Sequence, residues 1–170
     1  MTEQPTITDG VVWLTPFGPT DGEAIGDFNL DDEHRRWFDQ PAVDPDPDAR
    51  RRHGEEVVDR WHHGWTTGEQ LTFAVRPASD GEAIGMAELR PERDGVAGIS
   101  YSIIPSHRRK GYASRAARLL ADLGLGRLGF SRIELRCDVD NVASARTAER
   151  AGFVFDRIDP SAGVFEEIEG

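Results

Sequence analysis

Between residues 96 and 139 the hydrophobic period of the chain changes twice, from alternation to a helical repeat and back, with a basic turn at the first change. A strand, a helix and a strand in that order run in the same direction when the two strands share a sheet, because the helix carries the chain back to its starting end. Upstream, residues 71–76, 83–90 and 96–104 alternate as strands, punctuated by Ser79-Asp80-Gly81 and Asp94-Gly95, and predict an antiparallel meander. The fold class is therefore α/β (α+β), a mixed sheet in which one parallel pair adjoins antiparallel strands.

The remaining segments fill in around that unit. Residues 11–14 predict a short strand, and residues 19–28 a helix capped by Thr20 or Asp21. Residues 31–38 predict a second helix, residues 41–47 a Pro/Asp-rich loop near the substrate side of the site, and residues 50–65 a third helix carrying Val57, Val58, Trp61 and Trp65. The helix over 110–128 presents Ala113, Ala116, Ala117, Leu120 and Leu123 as one stripe. A strand over 132–139, a helix over 141–151 and a strand over 153–158 close the chain, with Asn141 placed to cap the last helix and Gly152 to end it.

A chain of 170 residues suits one domain, expected over 1–170. No run nears the ~20 apolar residues of a membrane span, and residues 1–10 are polar, so a cytoplasmic protein without a membrane partner is expected. Acidic residues outnumber basic ones 31 to 20, a net charge of -11 that disfavours nucleic acid and favours a cationic partner. The basic residues His107, Arg108, Arg109, Lys110 and Arg115 nevertheless gather in one place, which points to a local anion site. Cys137, the lone cysteine, rules out an internal disulfide and reads as a packing thiol in a strand.

That basic run, from Ile103 and Ile104 through Arg108-Arg109-Lys110-Gly111-Tyr112-Ala113, leaves a strand and opens a helix. A helix start offers unpaired N–H groups and a partial positive charge to phosphate oxygens. Gly111 lets a ligand reach the backbone, and Arg109 and Lys110 can add charge-assisted bonds. Taken alone, the same run also reads as a helix end with solvated basic side chains.

The run Arg108 to Ala113, followed by Asn141-Val142-Ala143-Ser144 and then Glu149-Arg150-Ala151-Gly152-Phe153, resembles the GNAT N-acetyltransferase superfamily. It is most similar to the RimJ/RimL-like branch that acetylates ribosomal-protein N-termini. The likeness is strong over residues 96–155 and weaker over most of the rest.

The resemblance implies a mostly antiparallel central sheet with helices on both faces and splayed fourth and fifth strands, here residues 96–104 and 132–139. It implies acetyl-CoA as cosubstrate, no metal, and a binding set of Ile103, Ile104, Arg108, Arg109, Lys110, Gly111, Tyr112, Ala113, Ser114, Asn141 and Ser144. Ile103 and Ile104 would pair with the pantetheine amides, and one N–H would face the thioester carbonyl. Ser144 would supply a proton to the thiolate, with capping and a plain first-turn serine as the bland readings of Asn141 and Ser144. The family usually ends in two paired strands, whereas residues 163–168 leave only a short last strand, so that the far wall of the acceptor pocket is open to completion either by this chain or by a partner subunit in a homodimer.

An amine attacking a thioester must lose a proton, and Glu88 and Tyr101 are the candidates to handle it, each equally readable as an ordinary strand residue. The acceptor is then an amine-bearing protein N-terminus or small molecule. A non-catalytic acyl-CoA-binding module and an unrelated phosphate-binding α/β domain are the rival readings. His62 and His63 point apart on a helix, and the Asp44, Asp46 and Asp48 run lacks the glycine and closing glutamate of a calcium loop, so neither predicts a metal site.

Overall fold

The computed structural model describes residues 4–159 and 163–169. Eight strands form one sheet in the order β1-β2-β3-β4-β5-β6-β8-β7. They are β1 (Ile7–Thr8), β2 (Trp13–Thr15), β3 (Leu71–Arg76), β4 (Gly85–Arg93), β5 (Val96–Ile103), β6 (Arg132–Cys137), β7 (Val154–Asp159) and β8 (Gly163–Glu169). Every neighbouring pair is antiparallel except β5 with β6, the pair bridged by the helical crossover.

The helices are α1 (Gly22–Phe28), α2 (Asp32–Phe38), α3 (Pro47–Thr67), α4 (Tyr112–Asp122) and α5 (Val142–Ala151). After Asp122 the central helix widens into a π turn over Leu123–Arg127. Strand alternation divides the core between the two faces of the sheet. Phe73, Leu89, Ile99 and Leu135 pack with Ala116, Ala117, Leu120 and Ala148 of α4 and α5. Ala74 and Met86 point the other way, into a cluster with Ile25, Phe28 and Val58 of α1 and α3.

Several boundaries differ from the sequence expectation for local reasons. The third helix begins at Pro47, not residue 50, because Asp46 caps it by accepting from the Ala49 N–H at 2.9 Å, and proline suits a first helical position. The first helix begins at Gly22, and Asp21 does not cap it by side chain. The Asp21 carboxylate is buried and accepts from Gly18 N at 2.7 Å and from the Arg76 guanidinium at 2.5 Å. The polar start read over residues 1–10 is described from Gln4 onward, and β1 within it was not foreseen.

The last strand answers a question that the sequence leaves open. β8 lies between β6 and β7 of its own chain, with Arg132 opposite Glu169 at one end of the β6 ladder and Cys137 opposite Val164 at the other. Among the described residues, no helix is long and apolar enough to cross a membrane.

The crossing of α1 over α3 depends on three glycines. A Cβ at Gly54 would stand 1.7 Å from the Gly22 carbonyl oxygen and 2.9 Å from the Gly26 nitrogen, so the two backbones touch only because no side chain intervenes. Gly54→Ala is expected to lower unfolding stability by about 3 kcal/mol, the upper range for an overpacked contact. Urea denaturation measures it, and an unchanged midpoint would mean that the helices separate freely.

Candidate active site

The site begins where β5 and β6 part. They pair only from Val96 with Arg132 to Ile99 with Leu135. Beyond that point β6 stays with β8, placing Arg136 opposite Phe165, while β5 runs on beside β4 to Ile103. The expected splay is therefore present, between the fifth and sixth strands once β1 is counted. Two cavities, of about 790 Å³ and 280 Å³, meet at the opening and share Trp37, Phe38, Tyr101, Asn141 and Ser144 in their walls.

Which backbone groups face this gap follows from the ladder. Ile104 N–H donates to the Ile84 carbonyl at 2.9 Å, so its amide belongs to the β4 side and not to the gap. Alternation along an antiparallel edge then turns the backbone of Tyr101 and Ile103 toward the space that β6 has left. The Ile103 carbonyl in that row already accepts from Arg108 Nε at 2.8 Å. Of the expected pair, Ile103 thus faces the gap and Ile104 does not, and Tyr101 faces it beside Ile103.

Past β5 a short 3-10 turn, Pro105–His107, leads to Gly111 at φ +83° and into α4. Gly111 meets two requirements: this left-handed conformation favours glycine, and the space where a Cβ would sit is open. Arg115 N–H is bonded back to Gly111 O at 3.2 Å, which leaves the first-turn amides of Tyr112, Ala113 and Ser114 without helical carbonyls to bond. Ser114 Oγ donates to the same Gly111 carbonyl at 3.0 Å. Arg109 and residues 111–114 line the larger cavity, whereas Lys110 does not.

Arg108, expected to bind a ligand, lines the larger cavity and is also engaged by the protein itself. Besides the Ile103 carbonyl, its guanidinium is held by the carboxylates of Asp31 and Glu33 at the start of α2. It ties the turn to α2 with its charge already matched. Arg115 is likewise paired, with Asp9 at 2.7 Å. The cationic wall of the cavity also includes Arg146 and Arg150 of α5, whose spacing of four puts them on one helical face although the sequence alone did not single them out.

Asn141 caps α5 by accepting from Ser144 N–H at 3.1 Å, and Gly152 ends it at φ +96°. The Tyr101 hydroxyl donates to the Ser144 carbonyl at 3.1 Å and lies 3.1 Å from Ser144 Oγ. Tyr101 and Ser144 therefore form a two-hydroxyl pair on the wall shared by both cavities. Glu88 is not brought to them. Its carboxylate is buried, accepts from Thr72 Oγ1 at 2.9 Å and from Arg90 at 2.6 Å, and lines neither cavity. It follows the parity of Met86, on the α1–α3 face, while Tyr101 points to the opposite face.

The helix α2 supplies what the sequence reading missed. His34, Trp37 and Phe38 line the larger cavity. His34 Nδ1 lies 2.7 Å from Ser102 Oγ, and its ring stacks on Phe38 with centroids 4.7 Å apart. Burial pulls the imidazole below its ordinary value; Asp31 opposes that shift and Arg108 reinforces it. Cys137 is buried along the smaller cavity. Among the described residues no group of three potential ligands is arranged to hold a metal.

The sequence profile described as "Acetyltransferase (GNAT) domain" matches residues 12–154, and the chain belongs to that family. Among curated proteins it is 28% identical over 146 residues to YjcK of Bacillus subtilis, named a probable N-acetyltransferase, covering 84% of this chain and 80% of that one. It is 42% identical over 64 residues to the uncharacterized N-acetyltransferase YjdG of the same organism, a match spanning 38% of each chain.

The fold is shared with solved structures at lower identity. Mycobacterium smegmatis RimJ in complex with CoA-disulfide superposes at TM-score 0.77 with 20% identity, over 98% of this chain and 86% of that one. The ribosomal-protein-S5-alanine acetyltransferase from Vibrio fischeri does so at 0.72 with 15% identity, over 97% and 96%.

If Arg108 anchors α2, removing it leaves two carboxylates facing each other. Arg108→Ala is expected to cost about 2 kcal/mol of stability, the loss of charge-assisted bonds in a half-buried place. Thermal or urea unfolding measures this, and a fully stable variant would assign the residue back to ligand binding.

Proposed function

We propose that this chain is an N-acetyltransferase of one domain over residues 1–170, working in the cytoplasm, that passes an acetyl group from acetyl-CoA directly to a primary amine. The observation that carries the proposal is the gap between β5 and β6, which leads from a row of strand backbone groups to the unbonded amides at the start of α4. An extended arm with amides at one end and a diphosphate at the other fits that path. Acetyl-CoA has that shape, and its thioester supplies the activated acetyl group.

The chain's own residues divide the work. The amides of Tyr112, Ala113 and Ser114, with Arg109 beside them, hold the diphosphate, and Gly111 leaves room for it. Tyr101 and Ile103 offer their backbone to the pantetheine arm. Asn141 shapes the first turn of α5 so that Ser144 faces the sulfur. Because the phenol proton of Tyr101 is directed to the Ser144 carbonyl, Ser144 Oγ–H is the proton of the pair that can turn toward a leaving thiolate.

Trp37 and Phe38 wall the side from which an acceptor approaches, and the acidic surface of the protein draws cationic amines. The family membership supports an amine acceptor, and the shape likeness to ribosomal-protein acetyltransferases favours a protein or peptide N-terminus.

Release of free thiol from acetyl-CoA in the presence of a panel of N-terminal peptides and small amines tests this. Turnover above hydrolysis is expected with at least one amine. Ser144→Ala and Tyr101→Phe should each lower kcat by about 10²-fold while calorimetric affinity for acetyl-CoA stays close to that of the parent. Tight binding with no turnover of any amine would make the chain a non-catalytic acyl-CoA sensor instead.

A further inference from the structure

The hydroxyl pair can protonate a leaving thiolate, but it does not remove a proton from an incoming amine, and Glu88, the carboxylate expected to do so, is sealed behind Thr72 and Arg90. A second titratable group stands at the cavity on the opposite side of β5. Successive residues of a strand point to opposite faces. Tyr101 reaches Ser144 on α5, and the next residue, Ser102, reaches His34 on α2. His34 and the hydroxyl pair thus flank one strand where its edge stands open, and both line the larger cavity.

We propose that His34 is the base of the reaction, taking the proton from the acceptor amine through Nε2, directly or across one water, while the Ser144–Tyr101 pair serves the sulfur from the other face. The inference rests on the acetyltransferase reading given above.

Three observations support it. Ser102 Oγ engages Nδ1 at 2.7 Å, and stacking on Phe38 fixes the ring plane, so the orientation is set by contacts that leave the other nitrogen unused. Nε2 has no partner among the described residues, although His34 lines the cavity. The charged groups around it are Asp31 and Glu33 on its own helix and Arg108 from the turn, and these are already engaged with one another; β5 and α1 present only Ser102 and Phe28. Burial keeps the imidazole uncharged at neutral pH, the form a base requires.

The protons balance. The amine nitrogen forms the new bond to the acetyl carbon and the carbon–sulfur bond breaks. His34 receives the proton lost by nitrogen, and the thiolate receives one from the hydroxyl pair. Solvent then takes the first proton and restores the second. The required tautomer has Nδ1–H donating to Ser102 Oγ with Nε2 bare, which makes Ser102 a positioning residue.

The test follows kcat and kcat/KM against pH for the parent, His34→Gln and Ser102→Ala, using acetyl-CoA and the amine that the parent turns over fastest. For His34→Gln, kcat is expected to fall about 10²-fold with the KM for acetyl-CoA unchanged, and the acid limb of the profile to disappear. In the parent that limb lies on the acid side of an ordinary imidazole, since burial makes the ring harder to protonate. Ser102→Ala should displace the limb and lower kcat less, and imidazole added to His34→Ala should restore part of the rate.

A folded His34→Gln with near-parental kcat and an intact acid limb overturns the inference while leaving the acetyltransferase reading in place. Binding of acetyl-CoA with no amine turned over by the parent overturns both. Should His34→Gln not fold, imidazole nitrogen chemical shifts of the parent decide: Nε2 bare with a depressed titration supports the assignment, and Nε2 protonated in the neutral form refutes it.

Discussion

Everything at this site depends on a choice made by β6. A strand inside a sheet has two edges, and for the first part of its length β6 satisfies both, pairing with β5 on one side and β8 on the other. From Arg136 onward it keeps only β8. The partner given up is the last part of β5, whose inward edge then carries backbone groups that no strand covers. Such groups cost free energy when left dry, so the gap is stable only if it is filled by side chains, water or a ligand. Arg108 fills part of it at the Ile103 carbonyl, and the hydroxyls of Tyr101 and Ser144 close part of the wall.

The distribution of charge follows from the same opening. An anion drawn to the start of α4 meets a protein with a net charge of -11, and the local field must overcome the global one. Counting arginines along the chain overstates how it does so. Arg108 and Arg115 are each committed to carboxylates from distant segments, so their charge organises the fold. Arg109, Arg146 and Arg150, together with the helix amides, line the cavity where an anion would sit.

Much of this was legible in the sequence because much of it is local. The strand over 71–76 falls on the residues that alternation picks out, and Asn141 and Gly152 bound α5 because capping depends on the next few residues only. Gly111 was legible for the same reason. What failed was orientation. Alternation says that Glu88 and Tyr101 lie on strands, but only the register, with Ala87 opposite Tyr101 and Glu88 opposite Ser100, says that they face opposite ways. The terminal strand failed similarly: its length looked inadequate until pairing with both β6 and β7 supplied its context.

The helix α2 was legible as a helix but its place in the site was not, and its bonding explains why. A helix of seven residues with none of them buried has no apolar stripe to say which face meets the rest of the protein. Among the described residues its long-range hydrogen bonds are made by side chains: Arg108 to Asp31 and Glu33 across 77 and 75 residues, and His34 to Ser102 across 68. No ladder of backbone bonds dictates where it sits. The part of the cavity beside α4 and α5 is thus built from one stretch of chain whose motifs can be read in order. The part beside α2 is built from a helix that a few polar contacts place, and its residues acquire chemical meaning only once those contacts are seen.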